Sequence, residues 1–208
     1  MRTFLRFFFR LLYHPFAFTY DLVSATVSFG RWKDWIVEVL PFIAGTRVLE
    51  LGHGPGHLQR ILLSRKLVAV GLDESKQMGR LAKRNSDGAA RLTRGLAQQL
   101  PFASASFDTI IATFPTEYFA DPQTLSEVKR CLDTGGRFIV LPAAMPKNRF
   151  LSWLFKVTEQ APTEALRIVQ QRLEEPFLKA DFHVETHVLD LQSGRLIIIV
   201  ATPKSGQG

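Results

Sequence analysis

Cysteine is nearly absent: Cys131 stands alone in 208 residues. That excludes an intramolecular disulfide framework and a thiolate zinc site. Acids are also scarce, with 19 Asp and Glu against 26 Lys and Arg, for a net charge of +7. Such an excess fits an ordinary basic globular protein, or one that meets an anionic membrane surface or a nucleic acid. No acid precedes Asp21, whereas Arg2, Arg6 and Arg10 do. No apolar run is long enough to span a bilayer. The Phe/Leu-rich start is broken by Arg6 and Arg10 and lacks a clean apolar h-region, so it does not read as a signal peptide. Apolar residues make up 46 %, enough for one domain with a full core.

What is there alternates. Residues 1–14 read as a basic amphipathic helix, with Arg2, Arg6 and Arg10 on one stripe and Phe4, Leu5, Phe8, Leu11 and Leu12 opposite. His14-Pro15 ends it. Helical stretches follow at 20–29 and at 31–40, the second stopping before Pro41. Strands are expected at 47–51, 67–72, 90–94, 107–113 and 137–141. Helices are expected between them, at 57–63, 75–85 and 121–132, the last ending at Gly135-Gly136. Residues 143–161 read as irregular, with a short helix near 150–157. A helix at 163–180, disturbed late by Pro176, leads to a closing strand pair at 182–189 and 195–201 around Gln192-Ser193-Gly194. Strands alternating with helices imply an α/β, doubly wound, mostly parallel sheet, and the terminal pair implies one antiparallel strand. The expected organisation is a helical arm at 1–40, a ligand-binding domain at 41–202 and a frayed tail at 203–208.

The most informative stretch is VLELGHGPGHL, Val48 to Leu58. Gly52, Gly54 and Gly56 let the backbone turn sharply and approach a ligand closely. A dinucleotide site wants G-x-G-x-x-G, with amides gathered on a pyrophosphate. Here the third glycine comes one residue early and His57 occupies the expected place. Pro55 removes a donor. The turn therefore fits a ligand without phosphate, of which S-adenosylmethionine (SAM) is an example. The next strand ends in Asp73, 17 residues after Gly56. A carboxylate there can accept both ribose hydroxyls of an adenosine, or it can cap the helix that follows.

VLELGHGPGH, GLDES, LAQQLPFASASFDTIIATF and EVKRCLDTGGRFIVL stand in the order and spacing of class I SAM-dependent methyltransferases, which the chain resembles over about 46–142. The resemblance implies a Rossmann-like seven-stranded sheet of order 3-2-1-4-5-7-6 with strand 7 antiparallel. It implies SAM as cofactor and S-adenosylhomocysteine (SAH) as product. By position, Glu50, Gly52, Gly54 and Gly56 would face the methionine part and Asp73 would take the ribose. Ala97 and Gln98 would lie beside the adenine, and Thr113 and Phe114 near the methyl group. Leu96 departs from the pattern, since many relatives carry there an acid that receives the adenine amino group.

YDLVSATVSFGRWKDW, Tyr20 to Trp35, is similar to the helix before the core in ubiquinone/menaquinone-biosynthesis C-methyltransferases, where that region closes over SAM. Tyr20 is thereby a candidate lid contact. His53, in the turn, is a candidate base at the methyl-transfer cavity, because histidine titrates near neutrality. No metal site is expected: His183 and His187 share a strand face, with no carboxylate or thiolate pattern credited beside them. The apolar arm and Phe150, Trp153, Leu154 and Phe155 favour a small hydrophobic acceptor such as a phenol, quinol or lipid-like molecule. Residues 1–14 favour peripheral membrane contact. The expected location is the cytoplasm, with the inner membrane surface as a second site. Two rivals are an RNA or protein methyltransferase that uses the basic surface and a non-catalytic SAM-binding protein. Nucleic acid is the weaker expectation, because the chain carries no appended nucleic-acid module and no Asn-Pro-Pro-aromatic block.

Overall fold

A computed structural model of the chain describes residues 32–146 and 162–204. The expected helices at 1–14 and 20–29, Tyr20, and the segment around 150–157 lie outside the described residues. Chain order begins with α1 (Trp32–Ile36), which tightens into a 3-10 turn at Val37–Phe42. The expected helix at 31–40 thus changes pitch halfway, and the 3-10 turn carries Pro41 within it. Then come β1 (Arg47–Leu51), α2 (His57–Ser64), β2 (Val68–Asp73), α3 (Lys76–Asn85), β3 (Arg91–Arg94) and β4 (Phe107–Thr113). A 3-10 turn at Glu117–Ala120 precedes α4 (Pro122–Cys131). The chain closes with β5 (Leu132–Pro146), α5 (Pro162–Lys179), β6 (Phe182–Asp190) and β7 (Gly194–Pro203).

The seven strands run in the order β3-β2-β1-β4-β5-β7-β6. The pairs β1–β2, β1–β4, β2–β3 and β4–β5 are parallel, and β7 is antiparallel to both neighbours. This is the expected Rossmann-like sheet. One element is longer than the sequence suggests. β5 continues past Leu141 to Pro146, so residues 143–146 are strand and not irregular chain. The reason is β7, which pairs Ala143 with Ile197 and Pro146 with Gly194 after a register shift beyond Val140.

The two faces of the sheet follow the period-2 alternation of strand residues. Leu49, Leu51, Ile110, Ala112, Phe138 and Val140 pack against Leu125 and Val128 of α4 and Phe177 of α5. Val48, Ile111, Ile139, Leu141 and Ile198 pack against Trp32 and Trp35 of α1 and Leu58 and Leu62 of α2. Fully burying one such side chain stabilises by about 1.5–3 kcal/mol. Capping follows local chemistry: Ser75 caps α3 by accepting from Met78 N, and Asp121 caps α4 by accepting from Gln123 N and Thr124 N.

At the amino ends of the strands an ionic clasp holds β1, β4 and β5. Asp108 accepts from the amides of Thr46 (2.8 Å) and Arg47 (2.9 Å) and pairs with the Arg47 guanidinium, which also reaches Asp133. The Arg47 contacts hold the Asp108 carboxyl down at about 2. The opposite, carboxyl ends are left free for a site, as is usual in open α/β sheets.

Candidate functional site

The glycine turn is built on β1 and β2. Gly52 N and His53 N both donate to Leu72 O, at 2.7 and 3.3 Å, and Gly56 N donates to His53 O at 3.0 Å. All three glycines have positive φ, at +69°, +51° and +81° for Gly52, Gly54 and Gly56. Their surroundings differ. A Cβ on Gly56 would stand 2.7 Å from Ala82 Cβ of α3, so the close approach of that helix requires glycine. Among the described residues a Cβ on Gly54 would meet nothing within 4 Å, so Gly54 faces space that they leave open. Pro55 gives its carbonyl to Asn85 Nδ2 at 2.8 Å, which ties the turn to the end of α3.

Asp73 ends β2 beside this turn and is 9 % exposed. Its Oδ2 accepts from Gly54 N (2.9 Å) and its Oδ1 from Ser75 N (2.8 Å). The helix cap itself is Ser75, so Asp73 joins the turn to the α3 entry. A carboxylate has about four acceptor positions. Two are in use, which leaves two for the neighbouring hydroxyls of a sugar.

After β3 the chain runs through Leu96, Ala97 and Gln98. Ala97 is buried and Gln98 half-buried, while Leu96 is 53 % exposed. This loop is clamped from α4. Glu127 accepts from Leu100 N at 2.8 Å, and Arg130 donates to Phe102 O (2.8 Å) and Leu100 O (3.0 Å). Thr113 and Phe114 close the site at the end of β4, both half-buried. Phe114 holds φ at +49°, an uncommon conformation for an aromatic residue, and donates its amide to Leu141 O. Its ring lies 6.4 Å from that of Trp35, and Trp32 stacks edge-on to His57 at 5.0 Å. Thus α1 and the end of β4 make an aromatic wall next to the turn.

Two of the expected contact residues are enclosed. Glu50, read as facing the ligand, is 2 % exposed and accepts from Gln59 Nε2 at 2.8 Å in the interior. It shares its strand face with Val48, which points at α2. Burial, with a contribution from the Asp73 charge, pushes the Glu50 carboxyl up to about 8, although the Gln59 bond pulls it down. His53, read as a base at the cavity, is 4 % exposed. Its Nδ1 donates to Gly54 O at 2.8 Å, and its ring packs over Gly71 of β2, where a Cβ would come within 3.0 Å of His53 Cδ2. Burial lowers its pKa from the usual value, against the nearby Asp73 charge.

A family model described as a methyltransferase domain matches residues 49–140. A demethylmenaquinone methyltransferase from Thermus thermophilus is 33 % identical over 147 residues, covering 66 % of this chain and 67 % of that protein. One from Thermotoga maritima is 36 % identical over 146 residues, covering 66 % of this chain. The chain belongs to the class I SAM-dependent methyltransferases. It spans 62 % of the length of the Thermotoga maritima relative. The chain shares its fold with magnesium protoporphyrin IX methyltransferase from Synechocystis PCC 6803, solved with bound SAH, at a TM-score of 0.54 and 18 % identity over 84 % of each chain.

Sequence reasoning missed one residue packed beside the turn. Tyr118, in the 3-10 turn after β4, donates its hydroxyl to Leu51 O at 3.0 Å, and a Cβ on Gly52 would lie 2.5 Å from that oxygen. Its signal in the sequence was only an aromatic residue shortly after the fourth strand. Gln59 was missed as well; its Oε1 is buried without a hydrogen-bond partner. On the edge strand β6, Glu185 stands between His183 and His187, 3.6 and 3.7 Å from their Nε2 atoms, and among the described residues no cluster of such side chains could hold a metal ion.

Proposed function

We propose that this methyltransferase binds SAM at the carboxyl end of its sheet and passes the methyl group to a small hydrophobic acceptor of the quinol or phenol kind. The observation that carries the reading is the pairing of Gly54, open to the site, with the Asp73 carboxylate that holds its amide and keeps acceptor positions free. These residues suit an adenosine without phosphate. Asp73 would hold the ribose and Ala97 and Gln98 the adenine. Gly52, Gly54 and Gly56 would let the backbone approach the methionine part, with Glu50 supporting the turn from below. Thr113 and Phe114 would border the reacting methyl group. SAM, when bound, supplies a sulfonium methyl open to in-line displacement.

What the chain contributes is alignment and dryness. Phe114, half-buried and backed by Trp35, gives the acceptor side an aromatic surface, which favours an apolar ring over a charged one. The demethylmenaquinone methyltransferases among the relatives agree with a quinol-type acceptor. His53, its Nδ1 held by Gly54 O, is the proposed base, and Tyr20 the proposed lid contact.

Titration calorimetry with SAM and SAH tests the site. Asp73→Ala is expected to weaken both by roughly 10–100-fold through loss of two charge-assisted hydrogen bonds. Unchanged affinity would remove the ribose assignment. A turnover screen over reduced quinones and phenols tests the acceptor, and methylation of bulk tRNA alone would reverse that part of the reading.

A further inference from the structure

The excess positive charge is not spread evenly. Residues 57–95 hold nine of the chain's 26 Lys and Arg but three of its 19 Asp and Glu, and one of those three is the buried Asp73. Within this stretch, α3 and the edge strand β3 present Lys76, Arg80, Lys83, Arg84 and Arg94 on the α3 side of the sheet and Arg91 on the other, all exposed, against Glu74 and Asp87. The four on α3 fall within about 100° of arc, on the side away from the buried Met78 and Ala82. Among the described residues none of the six has an ion-pair partner. Lys83 donates to the carbonyls of Gly88 and Ala90, and Arg94 to that of Glu74, so their charges stay unneutralised.

Structural needs account for part of this. Charged residues on an edge strand block sheet-to-sheet association, which covers Arg91 and Arg94. Lys83 and Arg84 suit the carboxyl end of a helix. Lys76 does not, because it stands in the first turn of α3, where the helix dipole disfavours a cation. Arg80, at mid-helix, is explained by neither. Beyond Arg94 the same edge carries Leu96, 53 % exposed, on the rim of the candidate site.

We propose that the α3–β3 face docks the protein on an anionic phospholipid surface, with Leu96 entering the headgroup layer and the site rim turned toward the bilayer. A field of Lys and Arg with an exposed leucine at its margin matches a lipid surface. Single-stranded nucleic acid is read largely by stacking on aromatic rings, and residues 57–95 contain no Phe, Tyr or Trp. The proposal draws on residues 74–96 alone and does not depend on the acceptor or on methyl transfer.

The experiment is co-sedimentation of the full chain with phosphatidylcholine vesicles, with and without phosphatidylglycerol, and filter retention of tRNA at matched salt. The variant is K76Q/R80Q/R84Q, three exposed side chains, with SAM affinity measured in parallel as the check on folding and on the cofactor site. Each basic residue near an anionic surface strengthens partitioning roughly fivefold. The triple variant is therefore expected to lose about 100-fold of its anionic-vesicle binding, with SAM affinity unchanged. Leu96→Ser is expected to weaken binding severalfold on its own. Undiminished vesicle binding by the triple variant would overturn the proposal. So would tRNA retention that depends on these residues while anionic vesicles bind no better than neutral ones.

Discussion

Replacing Glu50 by glutamine should make the protein more resistant to alkaline conditions. The carboxyl is fully enclosed, and burial raises it from 4.5 to about 8. The folded state therefore keeps this proton through a pH range in which the unfolded chain has released it. Stability from this group is fully present below the unfolded value, declines as pH rises past it and levels off above the folded value. Each pH unit inside that window costs about 1.4 kcal/mol. Between about pH 5.5 and 8.5 the wild type loses on the order of 3 kcal/mol through Glu50 alone. Glutamine cannot ionise, and its amide oxygen can still accept from Gln59 Nε2. Urea unfolding of both proteins at the two pH values isolates the effect, because all other titrating groups cancel in the difference. The gap between Glu50→Gln and wild type should widen by about 3 kcal/mol in favour of the variant at the higher pH. Parallel pH profiles would refute the reasoning, since they would mean that the carboxyl ionises freely inside the fold.

The two glycines of the turn should separate function from stability. Gly56→Ala forces a Cβ against Ala82 at positive φ and should cost about 3 kcal/mol of unfolding free energy. Gly54→Ala should cost only about 1 kcal/mol of backbone strain yet weaken SAM strongly, because its methyl group projects into the open space. Melting curves and calorimetry together check the pair; equal melting temperatures would count against the close approach of α3. Asp108→Asn should lower the melting temperature at pH 7 by roughly 5 °C. Asp108 is depressed in the fold, so its stabilisation is present above the usual carboxylate pKa of 3.8 and fades as pH falls toward about 2. The asparagine variant should therefore show a shallower acid limb in a melting profile between pH 5 and 2.

Apolar strands such as Phe107–Thr113 could be read from the sequence because they are short β-branched runs bounded by turn residues, and they fold as read. The glycine turn and Asp73 were legible for a different reason: their chemistry sits in consecutive residues. What escaped depends on neighbours distant in the chain. The length of β5 is set by β7, about 50 residues on. The inward pose of His53 is set by the bare backbone of Gly71 on the adjacent strand. Glu50 looks like a ligand in the motif, and only the arrival of Gln59 from α2 shows that its oxygen is engaged inside. Tyr118 matters because the 3-10 turn carries its hydroxyl back to Leu51, a return that no local pattern announces.

Trp35 Nε1 donates to Ser193 Oγ at 2.9 Å, across 158 positions of chain. The short helix before the first strand and the hairpin that closes the sheet are therefore fastened to one another at the same end of the molecule. Whatever shifts α1 toward or away from Phe114 must also pull on the Gln192-Ser193-Gly194 bend. A fluorophore on that hairpin would report the movement of the aromatic wall without touching the ligand.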